Sequence, residues 1–224
     1  MITRVLAGGI YMSSSGFSLA ADVIAVHGER GDSTAKARPQ SGVRKRYRSL
    51  PASSFLLSYA AAEVEVKDSN KAQEFVSNGR AQGIHWPELV ASWDACGLPL
   101  VARARMVPQP GARSGFHRWT LLGGGRLSDY LGDASRIRNQ LAHRASTVGI
   151  PLYSGVFAPV GGELKSMTLM LAEGFLQAAQ DISFQLRSQL QADLDQWEWA
   201  LPERSSASRM PRALHRHVAF PLPE

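Results

Sequence analysis

The hexapeptide Arg138-Asn139-Gln140-Leu141-Ala142-His143 brings a guanidinium, an amide and an imidazole within six residues of one another. A guanidinium is a permanent cation whose planar fork of donors fits a phosphate, and an imidazole titrates near neutral pH. Held against an RNA backbone, the two would supply a phosphate clamp and a proton carrier, enough to cleave RNA without a metal. Asn139, directly after the arginine, adds an amide four residues from His143 and so on the same helical face, where it can orient the ring.

A helix must carry these groups. From Leu127 to about Arg144, apolar Leu127, Tyr130, Leu131, Ala134, Ile137 and Leu141 recur at helical spacing, with Ser128 or Asp129 placed to cap the start. At about 100° per residue, Arg138 falls close to the middle of that apolar stripe, whereas Arg136 points away from it. Burying a guanidinium alone costs several kcal/mol, so Arg138 should meet an acid, backbone carbonyls, a bound phosphate or a cleft formed by another subunit. Arg138 and His143 project about 140° apart on a straight helix. They converge only if the helix distorts near its end or a second copy contributes its own set.

The rest of the chain supplies the packing around that helix. Residues 54–80 read as a helix or helix pair with one polar face, although the Val64 and Val66 alternation leaves a strand open there. Trp86-Pro87-Glu88-Leu89 reads as a helix start and Gly97-Leu98-Pro99 as its stop. Between Met106 and Gly125, Pro108, Pro110, Gly111, Gly115 and the triplet Gly123-Gly124-Gly125 predict a long connection. The triplet lacks the Lys and Ser/Thr of a phosphate-binding P-loop. After Gly161-Gly162, a stripe of Leu171, Phe175, Ala178, Ile182, Leu186, Leu190, Leu194 and Trp197 predicts a long amphipathic helix of the kind that lies along a partner. The expected organisation is a basic, Ser/Gly-rich extension over 1–50, an all-α bundle of four to five helices over 51–200, and a fraying tail over 201–224.

Composition sets the outer limits. The chain has 224 residues, room for one sizeable domain, and a formal charge of +6 with a pI near 9.8, compatible with a polyanionic partner. Much of the excess lies in the run Lys36 to Arg48 and in Arg204, Arg209, Arg212 and Arg216, which read as solvated arms. The single Cys96 excludes an internal disulfide framework and a thiolate zinc site, points to a reducing cytoplasmic setting, and is expected as a small buried or semi-buried filler. No run approaches the roughly 20 apolar residues of a membrane-spanning helix. The segment Val5 to Met12 is too short and too broken by glycine and serine for a secretion signal.

The Arg-Asn-x-x-x-His sequence near the end of a penultimate long helix, preceded by a Trp-containing helix and followed by a loop and a long last helix, resembles the HEPN superfamily. The resemblance spans roughly residues 52–198, but only the hexapeptide is specific. It implies a metal-independent, cofactor-free endoribonuclease site at the interface of two copies. Arg138 matches the motif arginine, Asn139 its polar follower and His143 the motif histidine. It further implies cleavage through a 2′,3′-cyclic phosphate and a 5′-hydroxyl, an RNA substrate, a homodimer, and work as a toxin or antiviral-defence effector beside an antitoxin or defence partner.

Plainer readings of the same residues remain. A histidine suits the carboxyl end of a helix dipole, and arginines on such helices commonly pair with Asp or Glu. The chain would then be a non-catalytic HEPN-like module that binds RNA, a nucleotide or a protein, or a helical interaction protein that assembles through its last helix. Elsewhere, His215-x-His217 has metal-capable spacing but no acid or thiol beside it. His85 and His117 lie next to or near tryptophans that serve more naturally as core anchors than as base-stacking platforms. The serine clusters lack a nucleophile elbow, and Asp94, Asp129 and Asp133 are too scattered to form a carboxylate pair.

Overall fold

The computed structural model describes residues 17–25, 49–72, 86–107, 118–144 and 149–189. These residues form five helices and one two-stranded sheet: α1 over 17–25, α2 Ser49–Ala72, α3 Trp86–Ala95, β1 Val101–Met106, β2 Arg118–Gly123, α4 Gly124–Arg144 and α5 Leu169–Gln189. The described residues are thus mostly helical, as expected, but not all-α.

Local sequence accounts for several helix ends. Pro51 sits in the first turn of α2 and Pro87 in that of α3, where a missing N–H costs nothing. The α3 carboxyl end is closed by Gly97 at φ 75°. The Gly97 N–H donates to the Asp94 carbonyl at 3.0 Å and the Leu98 N–H to the Trp93 carbonyl at 3.1 Å, the paired bonds of a Schellman motif. Helix α4 starts at Gly124, ahead of the Ser128 or Asp129 cap that the periodicity suggests, because β2 runs directly into it and Gly124 takes the turn at φ 51°. Residues 64–66 belong to α2, so the strand alternative there is not realised.

The core joins all five helices. Phe55 and Tyr59 of α2, Trp86 and Trp93 of α3, Leu127, Tyr130, Leu131 and Ile137 of α4, and Phe175 and Ile182 of α5 are buried. Phe157, from the loop before α5, stacks on Tyr130 with ring centres 4.8 Å apart. Part of the region assigned to the amino-terminal extension packs with them. Phe17, Ala20, Ala21 and Ile24 of α1 are buried, and the Ser54 hydroxyl donates to the Ala20 carbonyl at 2.9 Å. The alternation of Phe17, Ala20, Ala21 and Ile24 is itself a helical apolar stripe, one turn too short to stand out in a serine-rich sequence.

The sheet is the main departure from expectation. β1 and β2 pair antiparallel from Val101 opposite Gly123 to Met106 opposite Arg118, so β2 falls inside the stretch expected to be a long connection. β1 is hidden in the sequence because its alternation is Ala/Arg, not apolar/polar. Ala102 and Ala104 are fully buried, and so, nearly, are Arg103 and Arg105.

Those arginines are paired by a polar ladder on α5. Glu173, Gln177, Asp181 and Gln185 recur every four residues and share one face of that helix. Arg103 donates through Nε to Asp181 Oδ2 at 2.8 Å and through Nη2 to Oδ1 at 2.5 Å, while its backbone N–H also reaches Oδ2 at 2.7 Å. Gln177 adds a bond to Asp181 Oδ1 at 2.8 Å, and Arg105 pairs with Glu173 at 2.9 Å. Gln185 accepts from the Val101 N–H at 3.0 Å and donates to the Val101 carbonyl at 2.5 Å. Helix side chains thus complete the outer edge of β1, which would otherwise expose unpaired backbone groups. Complete burial pushes the Asp181 carboxyl up from its ordinary value, against the pull of Arg103 and Gln177. Gly174 permits the close approach: a Cβ there would lie 2.6 Å from the Arg105 nitrogen. A third buried pair, Arg187 with Glu65, ties α5 to α2.

Candidate functional site

The hexapeptide occupies the last two turns of α4. Arg138 and His143 diverge, as the helical offset requires. Arg138 turns toward α2, where its Nη2 donates to Glu63 Oε1 at 2.7 Å and its guanidinium carbon lies 4.9 Å from the centre of the Tyr59 ring. Of the partners expected for an arginine on the packed face, the acid is the one present. The pair is half-buried, with side-chain exposures of 32% for Arg138 and 20% for Glu63, so solvent still reaches it. The Arg138 Nε is buried without a partner among the described residues.

Tyr59 is a fixed platform for that guanidinium. The Trp86 indole N–H donates to its hydroxyl at 2.8 Å, and the hydroxyl lies 2.7 Å from Ser135 Oγ on α4. The Ser135 hydroxyl donates to the Leu131 carbonyl at 3.1 Å, so Tyr59 is the donor toward Ser135. The Tyr59 ring also lies nearly parallel to Phe175, at 12° and 5.8 Å. Helices α2, α3, α4 and α5 therefore all help to position Arg138.

Asn139 and His143 are exposed. Beyond the helix's own backbone bonds, no hydrogen bond joins their side chains, and neither side chain bonds to another described residue. The sequence places both on one face, and the structure leaves that face open, but the amide does not orient the ring in this conformation. Among the described residues, one copy of the chain brings Arg138 together with Glu63 and Tyr59, not with His143.

A second cluster begins at Asp133, fully buried one turn before the hexapeptide. Its carboxylate accepts the backbone N–H groups of Tyr153, at 3.0 Å, and Ser154, at 2.8 Å, and so pins the loop that follows α4. It also accepts from Arg136 Nη1 at 2.9 Å, and the Arg136 guanidinium carbon lies 4.9 Å from the centre of the Tyr153 ring. Burial, with the Asp133 charge adding to it, pushes the Tyr130 phenol well above its ordinary value, which keeps it neutral.

Sequence reasoning missed Tyr59, Glu63, Asp133 and Tyr153. The first two carry no local signal because they meet Arg138 across more than 70 positions of chain. Asp133 had one: an acid flanked by Leu131, Ala134 and Ile137 on a helix needs buried donors. Cys96, expected as a buried or semi-buried filler, is exposed because it lies in the turn after α3. His85, His117, His215, His217 and the basic run at 36–48 lie outside the described residues. Among those residues no helix is long and apolar enough to cross a membrane, and no group of three or more His, Cys, Asp or Glu could hold a metal ion. Comparison with protein-family models, curated proteins and solved structures gives no match.

Proposed function

We propose that this chain is a metal-independent endoribonuclease of the HEPN type, a HEPN-like bundle acting in the cytoplasm as a toxin or antiviral-defence effector. The observation that carries the reading is the disposition of the hexapeptide at the end of α4. Asn139 and His143 face solvent one turn apart, and Arg138 is held beside them at a solvent-reached edge by Glu63 and the Tyr59 ring. Because Arg138 and His143 diverge within one copy, the site is complete only in a homodimer that sets two such helix ends against each other.

In that cleft the ribose 2′-oxygen would attack the adjacent phosphorus as its proton passes to His143. The P–O5′ bond then breaks, and the 5′-oxygen takes up a proton, leaving a 2′,3′-cyclic phosphate and a 5′-hydroxyl. Arg138 would stabilise the charge on the phosphorane-like transition state, and Asn139 would hold the phosphate or the ring. The substrate phosphate would compete with Glu63 for the guanidinium, which the partial exposure of that pair allows.

The Arg138–Glu63 pair also favours a second reading, a non-catalytic HEPN-like module in which the arginine joins α4 to α2. A cleavage assay on purified protein separates the two. On the nuclease reading the wild type cuts RNA and is toxic on expression, whereas His143→Ala and Arg138→Ala lose both properties and keep the fold and dimer. Unchanged cleavage by both variants would sink the site assignment, and salt-sensitive RNA binding without any cleavage would favour the module.

A further inference from the structure

We propose that Arg136 and Tyr153 form an RNA-binding subsite beside the hexapeptide, in which a base stacks on Tyr153 and the neighbouring phosphate is held by Arg136. That the ligand is RNA rests on the ribonuclease reading above; the subsite itself rests on geometry.

Arg136 shares its helix face with His143. Seven residues separate them, an offset of about 20° around α4 and about 10 Å along it, a distance that a short single-stranded segment spans. Arg138 faces elsewhere, toward Glu63 and Tyr59. Arg136 is therefore the arginine that a strand passing over His143 would meet on the same face.

The pair is also built in advance. Asp133, fully buried, fixes the guanidinium through one N–H and fixes the Tyr153 backbone through another. A guanidinium carries five N–H donors. One of them goes to Asp133, and the others have no partner among the described residues. Tyr153 and the Arg136 side chain are each 47% exposed. A loop that needed only anchoring is already anchored without them: Leu152 bonds to Gly162 at 3.0 Å, Gly161 to Leu152 at 2.7 Å, and Ser154 to Asp133. An exposed ring with an oriented cation against it is the combination that single-stranded nucleic acid uses, stacking for bases and charge for the backbone.

The test is an anisotropy titration of the full chain with a short fluorescein-labelled single-stranded RNA, 2′-O-methylated so that it cannot be cut. Tyr153→Ala and Arg136→Gln should each weaken binding about tenfold, Tyr153→Trp should restore it, and the exposed Arg126→Gln should change it less than about twofold. Thermal melting of each variant checks the fold, and the Asp133 bonds to the loop go to backbone N–H groups that Tyr153→Ala retains. Failure of the wild type to bind, or binding by both variants within about twofold of wild type, overturns the proposal. Binding through these residues with no cleavage of unmodified RNA leaves the subsite standing and removes the nuclease.

Discussion

The α5–β1 seam and the carboxyl-terminal half of α4 both place arginines on or beside a packed face, and they treat them in opposite ways. In the seam, Arg103 and Arg105 are almost wholly buried, and each finds a carboxylate on the adjoining α5. On α4, Arg136 and Arg138 also find acids, but both remain open to solvent, and Arg136 gives Asp133 only one of its donors. Charge that is buried and paired holds elements in register, because removing either partner strands the other in a low dielectric. Charge that is oriented yet incompletely matched costs little to expose, and it is available to a ligand.

Substitutions should separate these roles. Asp181→Ala leaves Arg103 and its backbone N–H without their acceptor, and unfolding in urea should show a loss of about 3–5 kcal/mol. A wild-type denaturation midpoint for that variant would mean that the seam is not structural. Gly174→Ala forces a methyl against the Arg105 backbone and should cost about 1–3 kcal/mol by the same measurement, with the strand displaced from α5. Arg138→Ala removes a half-exposed ion pair and a cation–π contact, for which thermal unfolding should report about 1 kcal/mol while cleavage is lost. His143→Ala should change stability by less than about 0.5 kcal/mol and still abolish cleavage, read on a denaturing gel. If His143→Ala destabilised the fold as much as Asp181→Ala does, the distinction between the two regions would collapse.

The sequence made α4 readable because its apolar residues repeat for about four turns, and it made α3 readable because Pro87 and Gly97 mark both ends by local backbone chemistry. It also gave the divergence of Arg138 from His143, since helix periodicity fixes that angle before any packing occurs. β1 was not readable in the same way. Strand reading relies on apolar alternation, and Val101 to Met106 alternates alanine with arginine, a pattern that makes sense only once Glu173 and Asp181 are brought alongside. The polar ladder on α5 was visible as Glu173, Gln177, Asp181 and Gln185, every fourth residue of one helix. Beside the stronger apolar stripe of Leu171, Phe175, Ile182 and Leu186, however, it resembles an ordinary solvated face.

Sequence alone fixed the residue types of the hexapeptide, their helical setting and the angle between them, because these depend on intrinsic backbone geometry and local periodicity. Tertiary packing decided which acid Arg138 meets, that Tyr59 lies beneath it, that Asp133 joins Arg136 to Tyr153, and that the α5 acids face a strand and not water. Each of those partners is separated in the chain by between 17 and 79 positions or reached through a buried acid. No local rule relates such residues; only the burial of the shared core, which forces helices and strand against one another, brings their charges within bonding distance.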